Sequence, residues 1–163
     1  MVNYVRNSDP NYYVEKYEEA NCGSYALNLQ GWYDPEGYFC SWYDCEYVDD
    51  GLLELLQCGY NEDEVNEMYA EVLVDGIMLE FEGEIRLVDR YDLIDDDEEL
   101  IAFRTFALFE GDEYINSDFH FRVYRGGTWM EKQGWHPVEE CEEDEWGMYD
   151  SQIYYFAHKK IVA

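Results

Sequence analysis

A thiol acts as a nucleophile when its proton leaves easily, and helix N-termini favour that loss through free backbone N–H groups and the macrodipole. Cys22 stands at such a place in Asn21-Cys22-Gly23-Ser24-Tyr25-Ala26-Leu27, where Asn21 is a suitable N-cap. A reactive thiol also needs an imidazole within hydrogen-bond reach, supplied by another element. His120 lies in Phe119–Arg125, whose strict alternation sends Phe119, Phe121 and Val123 one way and His120, Arg122 and Tyr124 the other. The residue types for thiol hydrolysis are therefore present, on a helix early in the chain and a strand late in it.

Metal chemistry has less support. The five cysteines are Cys22, Cys40, Cys45, Cys58 and Cys141. The odd number argues against a disulfide framework and for reduced thiols. Cys40 and Cys45, with Cys58, Cys141 and His136 far along the chain, match no closed zinc-site spacing. The run Asp95-Asp96-Asp97-Glu98-Glu99 lacks the alternating ligands and central glycine of a calcium loop, and reads as a solvated loop. No metal and no cofactor are expected.

The elements that must position Cys22 and His120 can be read from periodicity. The 163 residues show no repeat, linker or internal boundary, so residues 1–163 are expected to form a single domain. Helices are expected over Asn21–Leu29, over Gly51–Cys58 with Asp49 or Asp50 as cap, and over Glu62–Val74, opened by Asn61 and closed by Gly76. Strands are expected over Ile77–Phe81, Ile85–Val88, Leu100–Phe109, Phe119–Arg125, Thr128–Lys132 after a Gly126-Gly127 turn, and Ile153–His158. Helices first and antiparallel strands afterwards predict an α+β domain with N-terminal helices packed on an antiparallel sheet.

Asn-Cys-Gly-Ser-Tyr-Ala-Leu-Asn from Asn21, with Asp118-Phe119-His120-Phe121 and Gly127-Thr128-Trp129, resembles small bacterial and phage papain-like cysteine hydrolases, distantly akin to NlpC/P60 and CHAP amidases. The resemblance implies a papain-like outline, with Cys22 as nucleophile and His120 as base. The third, orienting group it implies is His136 or a nearby carboxylate such as Glu139. Papain relatives often carry a glutamine before the cysteine. This chain reads Glu15-Lys16-Tyr17-Glu18-Glu19 there, and those carboxylates act against a low thiol pKa.

The charge points elsewhere. Thirty-nine acids against ten bases leave a net charge of −29. Phosphate would be repelled, which argues against binding nucleic acid or an anionic membrane directly. No apolar run approaches the roughly 20 residues of a membrane span, and Met1–Pro10 has no secretory h-region, so a cytoplasmic protein is expected. A 163-residue domain is about 40 Å across, and duplex DNA carries roughly two dozen charges over that length. The total is comparable. Composition, though no motif, is similar to that of acidic phage inhibitors of restriction and CRISPR nucleases.

The expected partner is therefore a basic nucleic-acid-binding protein or nuclease. The expected contact residues are Glu62, Glu64, Glu67 and Glu71, the run Asp95, Asp96, Asp97, Glu98 and Glu99, and Glu142, Glu143, Asp144 and Glu145. Seventeen tyrosines and five tryptophans among these acids suit arginine-rich partners, through charge pairs and cation–π contacts. An inhibitor that mimics nucleic acid is the leading expectation, and a thiol hydrolase using Cys22 and His120 is the alternative.

Overall fold

In the computed structural model, which describes residues 4–160, the first half of the chain is helical and the second half builds a sheet. The helices are α1 (Tyr12–Glu15), α2 (Cys22–Leu27), α3 (Glu36–Trp42), α4 (Val48–Gln57) and α5 (Glu62–Glu80). The strands are β1 (Ile85–Val88), β2 (Glu98–Glu110), β3 (Glu113–Arg125), β4 (Thr128–Lys132), β5 (Val138–Glu140) and β6 (Tyr154–Lys159). They pair antiparallel in the order β1-β6-β2-β3-β4-β5. The fold class is α+β.

Local chemistry explains the clearest helix starts. Asn21 accepts from the Ser24 backbone N–H while the Ser24 hydroxyl accepts from the Asn21 N–H, a reciprocal capping box. Asn61 and Glu64 repeat the device at the start of α5. Each such cap contributes about 1 kcal/mol. The start of α4 differs from expectation: Tyr47 is the N-cap, and Asp49 and Asp50 lie inside the first turn, where their charge complements the macrodipole.

The sequence reading ends the long helix at Gly76 and begins a strand at Ile77. Instead α5 runs on to Glu80, and Ile77–Phe81 is no strand. Leu73, Val74 and Ile77 keep the helical face buried through that point. At Gly76 an added Cβ would lie 2.4 Å from Cγ of Tyr38 on α3. This glycine permits close helix crossing and does not terminate the helix.

The expected loop at Asp95–Glu99 is also corrected. Glu98 and Glu99 belong to β2 and are buried. Arg86 binds Glu98 through Nε at 3.0 Å and Nη2 at 2.8 Å. Arg125 binds Glu99 at 2.8 and 2.7 Å, and its Nη1 reaches the Tyr25 carbonyl at 3.2 Å, tying the sheet to the end of α2.

The two faces of the sheet are covered differently. Phe103, Phe119, Phe121, Val123 and Phe156 meet Leu27, Leu52, Val65, Tyr69 and Leu73 in the main core under the helices. Leu100 and Ala102 face the other way, with Trp129 and Trp146, under the irregular segment 141–153. Strand β2 is thus buried on both faces, as its apolar run requires. The β3–β4 turn uses Gly126 and Gly127 at φ of 65° and 86°, the positive values a two-residue hairpin needs. Among the described residues no helix is long and apolar enough to cross a membrane.

Candidate functional site

A groove of about 1380 Å³ is lined by Asn21 and Cys22 at the start of α2, by Trp32, Asp34 and Glu36, by residues of the second half of β3 and of β4, and by most of the segment from Glu139 to Tyr149. Both Cys22 and His120 line it. Their placement follows from local structure: the capping box sets Cys22 as the first residue of α2, and β3 alternation turns His120 away from the phenylalanine face.

His120 is nearly buried, with its ring stacked on Tyr149 (centroids 5.2 Å apart, planes at 26°) and edge-on to Trp146 at 6.0 Å. Its Nε2 lies 2.7 Å from Oε1 of Glu131 on β4. The same oxygen accepts from Arg122 Nε at 3.1 Å. Arg122 also donates to the carbonyls of Glu142, at 2.7 Å, and Glu145, and its guanidinium lies 4.2 Å from the Trp146 ring centroid. Burial works to raise the Glu131 pKa, but the His120 hydrogen bond and the charges beside it hold the carboxyl below its ordinary range.

Cys22 is 5% exposed. Burial pushes its thiol up to about 12, Asp118 adds to the rise, and the Phe121 backbone works against it. Asp118, rather than the carboxylates of Glu15, Glu18 or Glu19, is the acid that acts on the thiol. No hydrogen bond joins Cys22 to His120 among the described residues; the Nε2 of the imidazole is committed to Glu131. In this arrangement the thiol is held protonated at neutral pH.

His136 is exposed, in the turn after β4 beside Trp135, and is absent from the groove lining. It is not the group that orients His120. Glu139 lines the groove but bonds only weakly to Gln133, at 3.5 Å. Glu131 holds the imidazole, and the sequence carried a signal for it. A two-residue turn at Gly126-Gly127 pairs Arg125 with Thr128 and hence Arg122 with Glu131, which puts Glu131 diagonal to His120 on the same face.

The acids expected at a partner contact divide into two groups. Glu62, Glu64 and Glu71 are exposed on α5, as are Asp95, Asp96, Asp97, Glu142, Asp144 and Glu145. Glu98 and Glu99 are buried in ion pairs, which removes them from any contact surface. Glu143 is held by Arg90 and by the Trp129 indole N–H at 2.9 Å. Glu67 accepts from the Gln152 backbone N–H at 2.7 Å.

A second carboxylate group lines the groove near Cys22. Burial raises the Glu36 pKa to about 7, helped by Asp34 and Asp118. Burial also raises Asp118, although its own backbone contact at Phe119 and the Tyr149 hydroxyl, at 3.3 Å, offset part of the rise. Among the described residues no three His, Cys, Asp or Glu side chains gather as metal ligands.

Comparison with protein-family models, with curated proteins and with solved structures found no match to this chain.

Proposed function

We propose that the protein is an acidic binding protein that occupies the nucleic-acid channel of a DNA- or RNA-binding effector and so keeps nucleic acid out. The type would be a cytoplasmic anti-restriction or anti-CRISPR inhibitor. One observation carries this reading: every arginine is already bound to an acceptor of the chain itself, so few cations are left to offset the acids. Arg6, Arg86, Arg90, Arg122 and Arg125 each bind a carboxylate, and Arg104 binds the Ser151 carbonyl. Lys132 is fully buried on the carbonyls of Ala20 and Gly134. Lys16, Lys159 and Lys160 are the exposed lysines. The exposed Arg6 and Arg86 are paired with Glu84 and Glu98, so the exterior is strongly anionic with few unpaired cations, which a surface built for solubility alone does not require. Competition between the protein and labelled DNA for a purified nuclease, across a salt series, tests it. Displacement that weakens steeply with salt is expected; failure to displace DNA at low salt would overturn it.

A second reading, a papain-like thiol hydrolase, is favoured by one specific observation: Cys22 and His120 line the same groove, and Glu131 fixes the imidazole through Nε2, leaving Nδ1 as the nitrogen for a thiol. Iodoacetamide labelling of the native protein separates the readings. A hydrolase labels at Cys22 before the exposed Cys58, and replacing His120 with Ala slows the labelling. Labelling of Cys58 first, with Cys22 protected until unfolding, fits the binding protein alone.

A further inference from the structure

Four times the fold places an arginine between a carboxylate and an aromatic face, once with Arg6 paired to Glu84 and 5.0 Å from the Phe81 centroid. Arg122 binds Glu131 with its guanidinium 4.2 Å from the Trp146 centroid. Arg125 binds Glu99 at 4.7 Å from Tyr25, and Arg90 binds Glu143 at 5.5 Å from Trp129. Beyond the site that Arg122 fills, the groove offers the same two ingredients with no arginine between them. Trp32 and Tyr124 line it with roughly half their surface open, 50% and 44% exposed. Exposed Asp34, Glu140, Glu142 and Glu145 line it too. Arg122 is the one lysine or arginine in the lining, and it is already committed to Glu131 and two carbonyls.

We propose that this groove is the docking site for an extended, arginine-bearing segment of the partner protein, with guanidinium groups set between groove carboxylates and the open faces of Trp32 and Tyr124. The proposal rests on the binding-protein reading and gives it a location. The volume, about 1380 Å³, exceeds the roughly 300–1,000 Å³ of small-molecule pockets and suits several residues of polypeptide. Arginine is favoured over lysine because a planar guanidinium can pair bidentately with a carboxylate while stacking on a ring. Asp34 and Asp118 both push the Glu36 carboxyl up, and Asp34 acts the same way on Asp118, so carboxylates crowd the end of the groove beside α3. An entering cation would relieve that crowding.

The test uses the full chain and two labelled probes, an oligo-arginine and an oligo-lysine peptide of equal length, at near-physiological salt. Saturable one-to-one binding is expected, tighter for arginine. Trp32→Ala, and separately Glu140→Gln with Glu142→Gln and Glu145→Gln, should each weaken arginine binding by about tenfold. Joint Glu62→Gln, Glu64→Gln and Glu71→Gln on α5 should change it by less than about twofold, since those acids lie outside the groove. All substituted positions are exposed, and an unchanged unfolding midpoint verifies the fold of each variant. Equal weakening by the α5 and groove variants, or equal binding of both peptides with no effect of Trp32→Ala, overturns the groove. DNA competition with the same variants separates the two claims. Peptide binding in the groove without DNA displacement overturns the inhibitor reading alone, and displacement untouched by the groove variants overturns the groove alone.

Discussion

Oε1 of Glu131 accepts from both His120 and Arg122, at 2.7 and 3.1 Å, so one buried oxygen serves two donors of the adjacent strand. The carboxylate sits at the hub of the hairpin formed by β3 and β4, and the same Arg122 reaches the carbonyls that shape the 141–153 segment. Glu131 thus links the groove wall to the second sheet face.

Glu131→Ala strands a buried guanidinium and imidazole and should cost about 3–5 kcal/mol in urea unfolding. Glu131→Gln keeps an acceptor oxygen and should cost distinctly less. A loss below about 1 kcal/mol for the alanine variant would show that the hub adds little.

Gly76→Ala sets helix propensity against packing. Alanine in a helix interior gains roughly 1 kcal/mol over glycine, but its Cβ would meet Tyr38 ring atoms at 2.4 and 2.5 Å. The single variant should be destabilised by about 1–3 kcal/mol. In a Tyr38→Gly background, which also removes the Tyr38 Cβ at 2.8 Å, the same change should be neutral or stabilising, and a double-mutant cycle measures the difference.

His158 is almost wholly buried, and burial is the main cause that pulls its pKa down from 6.5 to about 4, with Arg6 and Arg125 adding. In the window between those values the unfolded chain takes up a proton that the folded one refuses. Stability from this group is complete above 6.5 and falls as pH drops toward 4. The pH dependence of the unfolding free energy should flatten over that window in His158→Phe.

Glu36 has the opposite sign. Its carboxyl is raised from 4.5 to about 7, by burial first and then by Asp34 and Asp118, so the folded state holds a proton that the unfolded state has lost. Stability from this group falls as pH rises from 4.5 to 7. Glu36→Gln should remove that decline, and the difference between the two profiles reads it directly.

Self-repulsion at a net charge of −29 opposes the folded state, and salt screens it. The unfolding midpoint should rise with sodium chloride through the range where the screening length falls from about 30 to about 10 Å. A midpoint that falls over that range would mean that the buried ion pairs outweigh the repulsion.

Local signals carried much of this architecture. The caps at Asn21 and Asn61, the apolar stripe of α5, the alternation of Phe119–Arg125 and the Gly126-Gly127 turn each depend on residues a few positions apart, so each can be read in sequence. They put Cys22 at a helix start and His120 on the face opposite the core phenylalanines. With the turn register worked out, they also put Glu131 beside His120. Helix α3 and the short strand β5 left no comparable pattern, because tertiary contacts hold them more than their own periodicity does.

Burial and pairing between distant segments were decided only in three dimensions. Gly76 reads as a stop signal until Tyr38 arrives against it, and the acidic run reads as solvated until Arg86 and Arg125 claim Glu98 and Glu99. Strand β6 enters the sheet between β1 and β2, a placement that no neighbouring residue specifies. The thiol of Cys22 follows the same rule. Its position at a helix N-terminus is local, but its protonation is set by burial within the core, an energy larger than the few tenths to one kcal/mol that a helix terminus typically provides.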